Sequence, residues 1–112
     1  MLSQEKIKLG TLIQVNNNGP YTRDKYRYKY LLVNKIVYDK INPRDPGFYN
    51  DVYYHNKETK KLELYNEKDV FVGFTWLINL NRFKNEPVII DQLGEESLKA
   101  TELPFKYEQS ED

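Results

Sequence analysis

The fold of this chain is decided by the stretch KYRYKYLLVNKIVYD, residues 25–39. Its alternation with a period of two is typical of a β-strand, in which successive side chains point to opposite faces of a sheet. One predicted face carries Tyr26, Tyr28, Tyr30, Leu32, Ile36 and Tyr38. The opposite face begins with cations and continues with Leu31, Val33 and Val37. Because the middle of the stretch is apolar on both faces, we predict a strand that crosses the core and carries a basic end to the surface.

Working outward, five further segments have the composition of strands: residues 10–15, 48–55, 62–65, 70–80 and 88–90. Two loops rich in Asn, Gly and Pro flank the deciding stretch. One, at 16–24, separates it from the segment at 10–15, and the other, at 40–47, separates it from the segment at 48–55. A single helix is predicted at 91–100, where acids lie early in the segment and two leucines can reach the core.

These elements predict a mainly β fold, namely a small SH3-like antiparallel barrel of about five or six strands with a C-terminal helix. We expect one domain over residues 1–104 and an acidic tail over residues 105–112.

Composition excludes several classes of protein. The 112 residues contain no cysteine, which removes disulfides, thiolate nucleophiles and cysteine metal sites, and favours a reducing compartment. No apolar run approaches the roughly 20 residues of a membrane span, and the first residues lack the apolar region of a signal peptide. We therefore expect a cytoplasmic protein with no membrane partner.

Charge is balanced overall but unevenly distributed. The net charge is zero, yet residues 1–40 hold eight Lys or Arg against three acids, and residues 91–112 hold two against seven. The simpler interpretation is a solvated surface with an acidic end. The alternative is that the acidic tail shields the basic face or competes for it.

Cations alternate with tyrosines at the start of the deciding stretch and in the loop before it. The candidate nucleic-acid contacts are Tyr21, Arg23, Lys25 and Lys29, with Arg27 in the same row. Cations spaced two residues apart on one face can follow a phosphodiester backbone, and neighbouring rings can stack on unpaired bases. This pattern suits single-stranded RNA or DNA. It also fits an edge strand whose charges prevent sheet-to-sheet association.

His55 is the only histidine, so no pair of histidines can hold a metal ion. It is either an ordinary surface residue at the end of a strand or a general acid or base beside the cations. The sequence has no phosphate-binding glycine loop, nucleophile elbow or metal-ligand spacing. We expect neither a metal nor a cofactor.

Several segments together carry a resemblance to a known family. They are residues 7–13 (IKLGTLI), 29–33 (KYLLV), 69–83 and 93–98 (LGEESL). The first two resemble the basic-x-Gly opening strand and the Arg-Pro-apolar strand of the PemK/MazF toxin endoribonucleases. The others are similar to the late strand, the Arg-Leu link and the terminal helix of that family, whose members are small SH3-like barrels.

This resemblance implies metal-independent cleavage of single-stranded RNA, in which the 2′-hydroxyl attacks its own phosphate. It also implies a homodimer and an antitoxin protein that covers the same groove. The family's catalytic arginine before proline is replaced here by Lys29, which keeps the charge but lacks the planar fork of arginine. The middle strand ends at His55, where the family has Thr or Ser. Arg27 and His55 are therefore the candidate catalytic residues.

Two other functions fit the sequence. A non-enzymatic binding or inhibitor protein of a phage or other mobile element could act on a host protein or nucleic acid through its tyrosine-rich surface. Alternatively, the basic row could serve solubility alone, in a structural subunit.

Overall fold

The computed structural model describes residues 6–16, 28–38, 46–64, 70–73 and 88–105. Within these ranges the backbone forms seven strands. They are β1 (Thr11–Asn16), β2 (Tyr28–Val37), β3 (Gly47–Asn56), β4 (Lys61–Leu64), β5 (Val70–Gly73), β6 (Val88–Gln92) and β7 (Glu102–Pro104). A short 3₁₀-helix, Glu95–Lys99, lies between β6 and β7.

The strands form one antiparallel sheet in the order β6-β1-β2-β3-β4-β7. The ten-residue strand β3 is its centre, since β2 pairs along one edge while β5 and β4 share the other, at residues 47–50 and 53–56. The sheet curls into a half-barrel. The mainly β, barrel-like part of the prediction is confirmed, and the SH3-like arrangement stays a prediction.

A β-bulge in β2 changes which residues share a face. Val33 pairs with Asn50 and Lys35 pairs with Tyr49, which are adjacent in β3. Asn34, between Val33 and Lys35, is therefore the extra residue of the bulge in the register of β2 with β3. An extra residue reverses the alternation beyond it. Ile36 consequently packs against the cluster of Leu31 and Val33, and Val37 lies on the opposite face. The predicted faces of Ile36 and Val37 were therefore wrong.

Both faces of the sheet carry an apolar cluster. Cluster 1 consists of Ile7, Ile13, Val15, Leu31, Val33, Phe48 and Val52. Cluster 2 consists of Leu12, Tyr30, Leu32, Tyr53, Leu62 and Leu103. Residues alternate between the two clusters along β1, β2 and β3, which explains why these strands are apolar on both sides of their middle.

Predicted and observed strands agree closely where both are described. The segments at 10–15, 48–55 and 62–65 correspond to β1, β3 and β4 within about one residue, the usual uncertainty of an element boundary. Only the first four residues of the segment at 70–80 lie within the described ranges, as β5. β7 was not predicted, because three residues containing a proline are too few for alternation to be recognised.

The segment predicted as a helix, residues 91–100, forms only a short 3₁₀-helix in the structure. β6 continues to Gln92, and the 3₁₀-helix occupies only Glu95–Lys99. Gly94 before it has a positive φ of 85°, and Ala100 after it is extended, so a longer helix cannot form there. Leu93 and Leu98 nevertheless pack against cluster 2, as their spacing predicted.

No helix in the described part of the chain has the length and apolar character needed to cross a membrane.

Candidate functional site

The structure describes the predicted site residues unequally. Tyr21, Arg23, Lys25 and Arg27 lie outside the described residues. Lys29 is described through its backbone, which pairs in β2 with Tyr54 of β3. The start of β2 therefore runs beside the residue that precedes His55. The pairing of Arg27 with His55 in one catalytic site stays a prediction.

His55 lies near the end of β3 and packs against an aromatic ring. Its imidazole stacks on Phe105 with a centroid distance of 3.7 Å and an interplanar angle of 20°. Tyr30 meets the same phenyl ring edge-on, at 6.3 Å and 77°. Both ring nitrogens of His55 are shielded from solvent. In this arrangement the imidazole is a packed ring, and proton exchange with a substrate would require Phe105 to move away.

Phe105 was assigned to the acidic tail from the sequence, but it packs against cluster 2. It lies two residues after Leu103, which is 6% exposed and belongs to that cluster. The spacing of Leu103 and Phe105 is that of residues on one face of a strand, and this was the signal in the sequence that could have identified β7. Residues 106–112 lie outside the described ranges.

Tyr53 connects the sheet to the residue that follows the 3₁₀-helix. Its hydroxyl donates a hydrogen bond of 2.6 Å to the carbonyl oxygen of Ala100. Burial, and to a lesser extent the negative charge of Asp51, raises the pKa of Tyr53 from 10.0 to about 12. Tyr53 is consequently a protonated hydrogen-bond donor at neutral pH.

A second group of side chains lies at the other end of the same sheet face. We call it the Tyr49 surface, and it comprises Asn34, Lys35, Val37, Tyr49 and Asp51. Lys35 pairs with Tyr49, and its ammonium nitrogen lies 5.7 Å from the centre of the tyrosine ring. Asn34 donates a hydrogen bond of 3.1 Å to Asp51. Val37 is 37% exposed.

The Tyr49 surface was not predicted, because the bulge at Asn34 determines it. Without the extra residue, Lys35 and Val37 would have the opposite orientation relative to Tyr30. The result is an aromatic ring, an aliphatic side chain and charges of both signs within one short stretch of the sheet. Tyr38, which follows Val37 directly, is 63% exposed.

The described residues contain no group of three or more His, Asp or Glu side chains arranged to hold a metal ion. An ion pair between Lys61 and Glu102, with a distance of 2.9 Å between Nζ and Oε1, joins β4 to β7. The hydrogen bond to Glu102 raises the pKa of Lys61, and the negative charge of Glu102 acts in the same direction.

The fold and these surfaces define a class: a barrel-like β protein with one stacked histidine and a mixed aromatic and charged surface. Comparison of the chain with protein-family models, with curated proteins and with solved structures finds no match. The relation to the PemK/MazF toxins stays a prediction from the sequence motifs.

Proposed function

We propose that this chain is a non-enzymatic binding protein that acts on a partner protein through the Tyr49 surface. The observation that carries this proposal is the half-exposed Tyr49, with Lys35 over its ring and Asp51 on the same face. Tyrosine is enriched in protein interfaces, where it combines a large contact area with a polar end. Charges of both signs suit a protein, whereas Asp51 would repel the phosphates of a nucleic acid.

The position of His55 supports a function without catalysis. A general acid or base has to reach the proton that it transfers, within hydrogen-bond distance or through one water. The nitrogens of His55 are shielded, and its ring face is occupied by Phe105. The imidazole therefore contributes packing in this conformation. An origin in a phage or other mobile element belongs to the same proposal and rests on the sequence alone.

The proposal is tested by quantitative partner capture with matched variants. Tagged wild type, Tyr49→Ala, Lys35→Glu and the control Lys57→Glu are used to capture proteins from cells that express the chain. Lys57 is exposed in the turn between β3 and β4, and its substitution changes the net charge as Lys35→Glu does. We expect one protein to be retained by wild type and Lys57→Glu and reduced tenfold or more by the two other variants, an effect of about 1.4 kcal/mol.

Binding of that protein is then measured with purified components, so that the direct interaction is established. Equal capture by all four chains would contradict a role for the Tyr49 surface. Urea denaturation of each variant shows whether a loss of binding arises from a loss of folding.

A second candidate is a PemK/MazF-like endoribonuclease that cleaves single-stranded RNA without a metal ion. The motifs shared with that family support it. The sheet register pairs Lys29 with Tyr54, which is adjacent to His55 and lies on the opposite face of the sheet from it, so the register does not by itself bring the basic row to the imidazole. In this proposal Phe105 leaves His55, which acts as base or acid, and Arg27 with Lys29 stabilises negative charge on the phosphate. A homodimer and an antitoxin partner belong to the same proposal.

The two candidates are separated by incubating single-stranded RNA with the chain in the presence of a chelator. Wild type, Arg27→Ala and His55→Phe are compared, since phenylalanine keeps an aromatic ring in the stack but cannot transfer a proton. The binding proposal expects intact RNA in all three reactions. Cleavage by wild type that both substitutions abolish would establish the nuclease instead.

A further inference from the structure

The last described segment of the chain forms one edge of the sheet and ends against His55. We call residues 102–105 the C-terminal strap; it consists of β7 and Phe105. β7 pairs with β4, where Leu103 lies opposite Leu62 and Pro104 lies opposite Lys61. Leu62 in turn pairs with His55 of β3, so His55, Leu62 and Leu103 form a row across three strands. Phe105 then stacks on the imidazole.

The strap is held by fewer interactions than the central strands of the sheet. β7 has three residues, whereas β3 has ten and pairs along both edges. Pro104 has no N–H to donate to β4. The ion pair between Lys61 and Glu102 joins side chains that are 49% and 52% exposed, so water competes for both charges. Local opening of such a segment is easier than unfolding of the sheet.

Displacement of the strap would expose a strand edge and a side-chain face that together have the properties of a peptide-binding groove. The edge of β4 offers backbone donors and acceptors, which readily pair with an added strand. Leu62 and the ring of His55 offer an apolar site and an aromatic site on the same face. Tyr30 borders the aromatic site, where it contacts Phe105 edge-on.

We propose that the C-terminal strap occupies, as an internal ligand, a groove that binds an extended segment of a partner protein. The partner segment has a large aliphatic residue and an aromatic residue two positions later. This chemistry follows from what the groove already accommodates, namely Leu103 opposite Leu62 and Phe105 on His55. The strap leaves, the partner strand pairs with β4, and its aromatic ring takes the place of Phe105. This inference concerns a different part of the sheet from the Tyr49 surface and does not depend on the function proposed there.

The test uses the full chain and a labelled peptide of sequence Thr-Glu-Leu-Pro-Phe-Lys, which reproduces residues 101–106. Wild type is compared with the double variant Leu103→Ser/Phe105→Ser, whose strap is weakened. We expect the peptide to bind the double variant at least tenfold more tightly, because the groove of the wild type is filled. A control peptide with serine in place of leucine and phenylalanine should bind neither chain.

The NMR signals of His55 show where the peptide binds. It is the only histidine, so its ring protons give unique NMR signals. In the wild type, stacking on Phe105 should shift these signals upfield. The double variant should lose this shift and regain it when the peptide is added. Peptide binding that leaves the His55 signals unchanged would overturn the proposal, as would failure of the folded double variant to bind.

A measurement on the wild type covers the case in which the double variant does not fold. The amide of Leu64 donates to the carbonyl of Thr101, whereas the amide of Gly10 donates to the carbonyl of Val33 between β1 and β2. We expect hydrogen exchange to be at least tenfold faster at Leu64. Protection of Leu64 that corresponds to the full free energy of unfolding, as measured by urea denaturation, would show that the strap opens only on global unfolding, which overturns the proposal. If the wild type forms dimers and the double variant does not, the groove binds a second copy of the chain. That outcome would also overturn the proposal.

Discussion

At the scale of single residues, the backbone around Gly10 holds the end of the sheet together. Gly10 donates to the carbonyl of Val33 and accepts a bond from the amide of Leu93, both at 2.8 Å. Its φ is 83°, and its α-carbon lies directly against the backbone of Gly94. A side chain at this position would separate the start of β1 from the segment that follows β6.

We predict that Gly10→Ala lowers the free energy of unfolding by about 3 kcal/mol, since a β-carbon would meet the carbonyl of Gly94 in addition to the strain of positive φ. Gly94→Ala is the matched control. It has a similar φ of 85°, but the atoms nearest to its β-carbon would be those of the Glu96 carboxylate, which is exposed and can move. This control should cost about 1 kcal/mol. Urea denaturation measures both, and equal losses would contradict the close approach of the two glycines.

Tyr53 gives a prediction about pH. Its pKa is raised to about 12 in the folded chain and is 10.0 when unperturbed, so the folded state holds the proton more tightly. The resulting stability is fully present below pH 10 and is lost as the pH rises toward 12. Tyr53→Phe should cost about 1 kcal/mol at pH 8, through loss of the bond to Ala100.

The difference in stability between wild type and Tyr53→Phe should then shrink between pH 10 and pH 12, because only the wild type carries this hydroxyl. Urea denaturation at several pH values measures the difference, in which the titration of the other groups cancels. A constant difference over that range would contradict the shifted pKa.

At the scale of elements, the bulge in β2 decides which surface each face presents. Beyond Asn34 the strand reverses its alternation, so that Ile36 turns to cluster 1 and Lys35 with Val37 turn to the face of cluster 2. The same bulge increases the local twist of the sheet and so contributes to its curl.

We predict that Ile36→Ala lowers the free energy of unfolding by about 2 kcal/mol, because Ile36 is half-buried against cluster 1. Val37→Ala should cost less than about 0.5 kcal/mol, since this neighbouring side chain is exposed. The two variants shorten aliphatic side chains at adjacent positions. The ratio of their losses in free energy of unfolding therefore shows which of the two side chains the bulge directs toward cluster 1. A larger loss for Val37→Ala, measured by urea denaturation, would place the bulge elsewhere.

At the scale of the whole molecule, the uneven charge makes binding to different partners distinguishable. The chain is neutral overall, so association with a protein through the Tyr49 surface should depend weakly on salt. Binding to RNA through the basic row would release counterions and depend on salt steeply.

We therefore predict that the affinity for the captured protein partner changes less than about tenfold between 50 and 200 mM salt, whereas a protein contacting several phosphates would lose more. Titration calorimetry at the two salt concentrations measures this dependence. A loss of a hundredfold or more would indicate that phosphate contacts dominate the binding.

How much the sequence could predict differs between the strands and their arrangement. Alternation and apolar runs identified β1, β3 and β4 almost residue by residue, because the face of each strand is set by its own side chains. They also indicated that Leu93 and Leu98 contact the core. They did not identify β7, because pairing with β4 determines it more than its own three residues do.

The candidate site was less predictable than the fold. The sequence drew attention to His55 as its only imidazole, but the stack of that ring on Phe105 joins residues fifty positions apart. The Tyr49 surface depends on one extra residue in β2, and no local pattern marks Asn34 as that residue. Contacts between distant residues are absent from local periodicity, which explains both omissions.

By itself, the sequence determined that this protein is mainly β, that β2 is apolar on both faces at its middle, and that its charge is divided between a basic first part and an acidic end. Those properties follow from side chains whose spacing fixes their direction along a strand. Only the tertiary structure decided the order of the strands, the reversal of faces at Asn34 and the covering of His55 by Phe105. Each of these depends on pairing and packing between segments far apart in the chain, where register and contact free energies select one arrangement among many.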